Sequence, residues 1–234
     1  MHQSASRISL LFRMSRNEIP SYRSGDTAPL VQETTPTRAS DIKIFIEDPC
    51  QVVEASLRDV LSTVSSKAVS TNPESEIREL LSEYLEPQDL AQLRVLTSGR
   101  HVVQSGIVVA LNNTQVTMTG GGILILVGKT KGVARGDVRV IATDEAELHC
   151  FDNVHVDAAG RAKISSYDHV VGIARGNARG TARGNSQWTV VGNAIFDGHD
   201  NATIFGAGSA ILRAFGRSRI RARGNCKATL CDTT

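Results

Sequence analysis

The sequence predicts a mainly β protein, a two-sheet parallel β-solenoid of sixteen residues per coil with a small N-terminal helical capping region. Three observations carry this. Gly or Asp recurs at positions 136, 144, 152, 160, 168, 176, 184, 192, 200, 208, 216, 224 and 232, thirteen consecutive multiples of eight without an insertion. Within each octet the third, fifth and seventh residues are small or apolar and the others mostly polar, the alternation of a half-buried strand. Finally, alternate octets differ at their eighth position. One set holds Phe151, Tyr167, Arg183, His199, Phe215 and Cys231, and the other holds Thr143, Ala159, Arg175, Val191, Ala207 and Arg223. Three octets per coil would scatter that segregation. Two octets per coil stack each residue on the one sixteen further on, with a rise of about 4.8 Å per coil. About eight coils then make a rod on the order of 40 Å long.

Residues 1–40 are rich in Ser, Thr, Arg and Pro without periodicity and are expected to form a flexible arm. Met14 is an alternative start to Met1. Arg7, Arg13 and Arg16 surround the apolar stretch Ile8–Phe12, which is shorter than a secretory core. Residues 41–96 are expected to be an α-rich cap. Ile42–Ile46 alternates like a short strand, and Pro49 opens a helix through Val52, Val53, Leu57, Val60 and Leu61. Asn72-Pro73-Glu74 starts a second helix with Ile77, Leu80, Leu81 and Tyr84 on one face, and Pro87 a third with Leu90, Leu93 and Val95. Such short amphipathic helices cannot bury their stripes alone, so the end or flank of the solenoid at 97–234 must receive them. The helices are expected to cap one end.

The fifth position is mostly the large core residue: Val140, Leu148, Val156, Ile164, Trp188, Phe196, Ile204, Leu212, Ile220. Gly172 and Gly180 interrupt it and would leave a hole. The next octets supply Trp188 and Phe196, the bulkiest inward residues, which are expected to lean into that space.

Octets such as Asp200-Asn-Ala-Thr-Ile-Phe-Gly-Ala and Gly208-Ser-Ala-Ile-Leu-Arg-Ala-Phe resemble the sixteen-residue tandem repeats of bacterial ice-nucleation proteins and related bacterial and phage repeat proteins. The resemblance covers about 136–232. It implies a β-solenoid that associates with other copies, with Phe151, Tyr167, His199 and Phe215 in the corner position of that family's Tyr ladder. The departures bear on function. Ice-nucleating repeats present Thr-x-Thr rows, whereas the outward fourth and sixth positions here hold pairs such as Arg139/Ile141, His155/Asp157, Gln187/Thr189 and Arg219/Arg221. Ice binding is therefore not expected.

No catalytic constellation emerges. Gly120-Gly121-Gly122 through Gly128-Lys129-Thr130 is similar to a phosphate-binding loop, but Ile123 stands where its first Gly belongs and strands follow where a helix should. Corner aspartates suit the capping of turn amides better than Ca²⁺, because the period is eight and paired glycines are missing. His149, His155, His169 and His199 occupy different octet positions and cannot converge on one metal. Asp157 and Asp197 fall on opposite arms, so no paired-carboxylate groove forms. No catalytic, cofactor or metal site is expected.

Surfaces remain. The net charge of +2 hides a segregation: residues 41–95 carry eleven acidic and five basic side chains, and residues 129–232 ten and fifteen. Arg213, Arg217, Arg219, Arg221 and Arg223 form a candidate patch for an anionic polymer or acidic protein. Ile141, Val171, Ile173 and Phe205 on one arm, with Ile195 and Ile211 on the other, are outward apolar residues that a covering helix or subunit would bury. The four cysteines, Cys50, Cys150, Cys226 and Cys231, show no disulfide framework, and Cys231 could pair only with another chain. No apolar run is long enough to span a bilayer. The expectation is a cytoplasmic, non-enzymatic structural or assembly protein that forms homo-oligomers or larger complexes, with an anion-binding module as the alternative.

Overall fold

The computed structural model describes residues 72–82, 85 and 87–231. The arm at 1–40, the strand at 42–46, the helix from Pro49, Cys50, Tyr84 and the corner at Asp232 lie outside them.

The described chain is a parallel β-solenoid of about 9 coils with turns of about sixteen residues. One face carries Leu93–Leu96, Ile107–Ala110, the second halves of Gln115–Leu126 and Lys131–Ala142, and then His155–Ala158, Val171–Ala174, Gln187–Val190, Thr203–Gly206 and Arg219–Ala222. The other carries Arg100–Val103, the first halves of those two long strands, and then Glu147–Cys150, Lys163–Ser166, Arg179–Ala182, Ile195–Gly198, Ile211–Phe215 and Lys227–Cys231. From Ile107 onward every parallel pairing joins residues sixteen apart, as in Gln187 with Thr203 and Ile195 with Ile211. The first coil is shorter, pairing Leu93 with Ile107 and Arg100 with Gln115.

The third, fifth and seventh positions fill one core between the faces, from Val103 to Leu212. Small residues at the third and seventh positions let the walls approach. At the glycine pair, a β-carbon on Gly172 would lie 2.5–2.9 Å from the Trp188 ring, and one on Gly180 would strike the Phe196 ring. The two rings meet each other at 4.7 Å between centroids. Trp188 brings an N–H into this apolar slab, and Ser166, standing where the other octets from 136 onward place Ala, Val, Cys, Gly or Leu, accepts it at 2.9 Å. The Ser166 hydroxyl in turn donates to the Thr181 carbonyl at 3.3 Å.

The corners explain why Gly and Asp recur. Asp144, Asp152, Asp168 and Asp200 all have φ between 58 and 65°, the left-handed region that Gly enters freely and Asp tolerates. Three of the carboxylates also accept an amide of the coil before: Gly128 N–H on Asp144, Gly136 N–H on Asp152, Gly184 N–H on Asp200, at 3.1–3.2 Å. The glycine-rich stretch at 120–122 serves the same geometry. It continues a strand, and side chains at Gly120 and Gly122 would run into the backbone of Gln104 and Gly106.

Among the described residues two helices precede the solenoid, α1 (Pro73–Ser82) and α2 (Pro87–Ala91). Pro73 sits in the first turn with Glu74 and Glu76, residues that suit a helix N-terminus. α2 ends at Ala91, so Leu93 and Val95 belong to the first strand rather than to a third helix, and pairing starts at Leu93, four residues before the position expected. α1 lies on the flank of the first face: Ile77 and Leu81 form a second apolar cluster with the outward residues Leu93, Ile107, Val109, Ile125 and Ile141. Arg78 fastens it there, donating to the carbonyls of Leu90 at 3.0 Å and Leu93 at 2.7 Å.

Candidate functional site

A solenoid of this kind offers ladders and ends, because each outward residue is one rung of a column sixteen residues in period. The second-face corner column contains Arg135, Phe151, Tyr167, Arg183, His199, Phe215 and Cys231. Phe151 and Tyr167 stack at 4.9 Å and 7°, and His199 and Phe215 at 4.6 Å and 5°. Arg135 lies 4.3 Å over the Phe151 ring and Arg183 5.9 Å from the Tyr167 centroid. Arg135 extends the column one coil earlier than the sequence reading placed it, and its position sixteen before Phe151 was the available signal. Both faces of Phe151 and Tyr167 are occupied by their neighbours, so these two rings offer no platform on which a nucleic-acid base could stack.

The five candidate arginines do not form one patch. Arg213 is on the second face, where Asp197, sixteen residues before it, accepts two hydrogen bonds of 2.7 Å from its guanidinium. Those bonds push the Arg213 pKa further up. Arg219 and Arg221 are outward on the last strand of the first face, with Arg217 and Arg223 at its two corners. Arg221 lies 5.6 Å from the Phe205 ring centroid.

The second face is the more extended basic surface. Glu147 is bonded by Lys163 at 3.0 Å and Lys131 at 3.1 Å, which together hold its carboxyl below the usual range. Beside them Glu145 pairs with Arg161 at 2.6 Å and Lys129 at 4.0 Å. Each acid serves two bases, which leaves a net positive charge in each column. The next strand adds Arg179 above Lys163 and then Thr181 on the same side, with Arg183 at the corner beyond it.

The candidate apolar residues also divide. Ile141, 5% exposed, is covered within the chain by the α1 cluster, so it is not an open interface residue. Val171, Phe205 and Ile211 are exposed. On the first face the column runs Ile141, Asp157, Ile173, Thr189, Phe205, so polar rungs interrupt it. Ile195 and Ile211 are directly paired, between Arg179 and Lys227.

The last coil differs from all those within the stack. Ile204 and Leu212 are fully buried in the coil below it, but the inward residues Ala222, Ala228 and Leu230 are exposed and Ile220 only partly covered. Leu230 is 77% exposed. Cys226 and Cys231 are partly exposed in this coil, whereas Cys150 is buried in the core, and burial pushes its thiol pKa far up.

Among the described residues no group of three or more His, Cys, Asp and Glu side chains is arranged to hold a metal ion. His169 instead lies 3.4 Å from Asn185 in a corner column. No helix among them is long and apolar enough to cross a membrane. No known family model, curated protein or solved structure matches this chain.

Proposed function

We propose that this is a non-enzymatic structural protein whose solenoid self-associates, or scaffolds a larger complex, through its last coil. One observation carries the reading: the core cross-section at Ile220, Ala222, Ala228 and Leu230 faces outward, above strands whose outer edges have no partner among the described residues. Exposed apolar core beside unpaired main-chain groups is a surface that another β edge covers favourably. The likeness of the octets to ice-nucleation repeats supports association between copies. It does not extend to ice, because the outward positions hold mixed charged and apolar side chains. Sedimentation velocity over a concentration series tests the proposal. A concentration-dependent increase in mass is expected, and a monomer at every concentration defeats it.

A second reading has its own observation. Arg179 and Thr181 point outward from one strand beside Lys163, with Arg183 at the corner that follows, on a basic face that α1 leaves free. Such a row suits a linear anionic polymer or an acidic protein surface. Retention on a heparin column that falls steeply with salt is the expected result, with Arg179→Glu/Arg183→Glu eluting earlier. Wash-through at low salt removes this reading.

A further inference from the structure

We infer that association, on the reading that the last coil is an interface, joins two copies tail to tail and stops there. The basis is a difference between the two ends of the stack.

At the first coil the inward positions are held by Arg94 over Val108, Leu96 over Ala110, His101 over Val116 and Val103 over Met118. Both fifth positions, large apolar slots everywhere above except at Gly132, Gly172, Gly180 and Ala228, are therefore polar. Arg94 is exposed, and the His101 ring folds back onto the Ser98 carbonyl at 2.7 Å. A coil stacked below would bury a guanidinium in an apolar slot without a counter-charge, which is strongly unfavourable. Inward-pointing charge is one of the ways in which natural sheets block edge-to-edge growth.

At the last coil the same four positions are Ile220, Ala222, Ala228 and Leu230, all apolar and all left uncovered to some degree. Among the described residues its strand edges at Arg219–Ala222 and Lys227–Cys231 end the order of the sheet. The occupant must present two strand edges, one on each side of a thin apolar core. The first coil of another copy fails because of Arg94 and His101. The last coil of another copy fits: a two-fold axis across the end sets apolar slots against apolar slots and strand edges antiparallel, a self-complementary contact. Both open ends are then used up, and growth ceases at two.

Charge opposes this contact and gives it a signature. Residues 217–231 contain Arg217, Arg219, Arg221, Arg223 and Lys227 and no acidic residue. Two such tails repel, so added salt tightens the pair, whereas it loosens any complex with an anionic partner.

The experiment is sedimentation velocity of the full chain at low and high ionic strength, with two variants matched for exposure. Leu230 and Val102 are each 77% exposed, one at the last coil and one at the first. The wild type should plateau at twice the monomer mass and associate more tightly at high salt. Leu230→Asp should be monomeric with an unchanged far-ultraviolet circular dichroism spectrum, and Val102→Asp should dimerise like the wild type. Species that keep growing with concentration would overturn the tail-to-tail inference while leaving self-association standing. The inference is also overturned if Val102→Asp abolishes association or if salt weakens it. A monomer under all conditions would remove both.

Discussion

Trp188 occupies space that the strands beneath it leave empty. Its ring lies against Gly172 and touches Phe196, which lies against Gly180, so four positions from two successive coils form one packed layer. Trp188→Ala empties that layer and strands Ser166 without its indole donor. It should cost about 3–5 kcal/mol in urea-induced unfolding, the range for an aromatic removed from a tight core. Gly172→Ala should cost about 1–3 kcal/mol through overpacking. In the double variant the added methyl meets no ring, so the two costs should fall well short of additive. Additive losses would show that the glycine and the ring do not share one space. This layer was legible in the sequence, because the only double gap in the fifth position is followed at once by its two largest residues. The buried Ser166 hydroxyl was not, since small polar and small apolar residues look alike at a seventh position until the neighbour sixteen or more residues away is placed.

Elements are held to the solenoid by the same kind of complementarity. α1 covers Ile107, Val109, Ile125 and Ile141, and Arg78 satisfies two carbonyls at the junction with the first strand. Leu81→Asp sets a charge into that cluster and should release the helix without unfolding the coils. Dye binding to exposed apolar surface should rise while the strand signal in circular dichroism persists. Loss of both signals together would mean that the solenoid depends on the helix. The cluster also marks where sequence reading loses resolution. Leu90, Leu93 and Val95 fit a helical stripe as well as a strand, and a segment this short does not separate the two periods. The first coil uses shorter corners, pairing residues 14 and 15 apart, so the octet register that identifies later strands fails there. From Lys131 onward the corners are uniform, and the strand positions follow from counting.

At the scale of the molecule the stack is nearly one-dimensional, with each coil touching mainly the coils before and after it. Stability along such a stack falls toward an end that lacks a neighbour, and the two ends here are unequal. The first coil has α1 packed on its flank and Arg78 tied to its first strand. Among the described residues the last coil has one neighbour and an uncovered core. Amide hydrogen exchange at low protein concentration should therefore show protection that is highest in the middle coils and lowest across Arg219–Cys231. Raising the concentration should slow exchange in that last coil selectively, because the edge amides of both tail strands gain partners when a second copy docks. Equal protection at both concentrations, in a sample whose mass has increased, would place the contact on an outer face, where main-chain amides are already bonded within the sheet. The distinction is physical: side-chain docking on a face leaves main-chain hydrogen bonds as they were, and only pairing at an edge creates new ones.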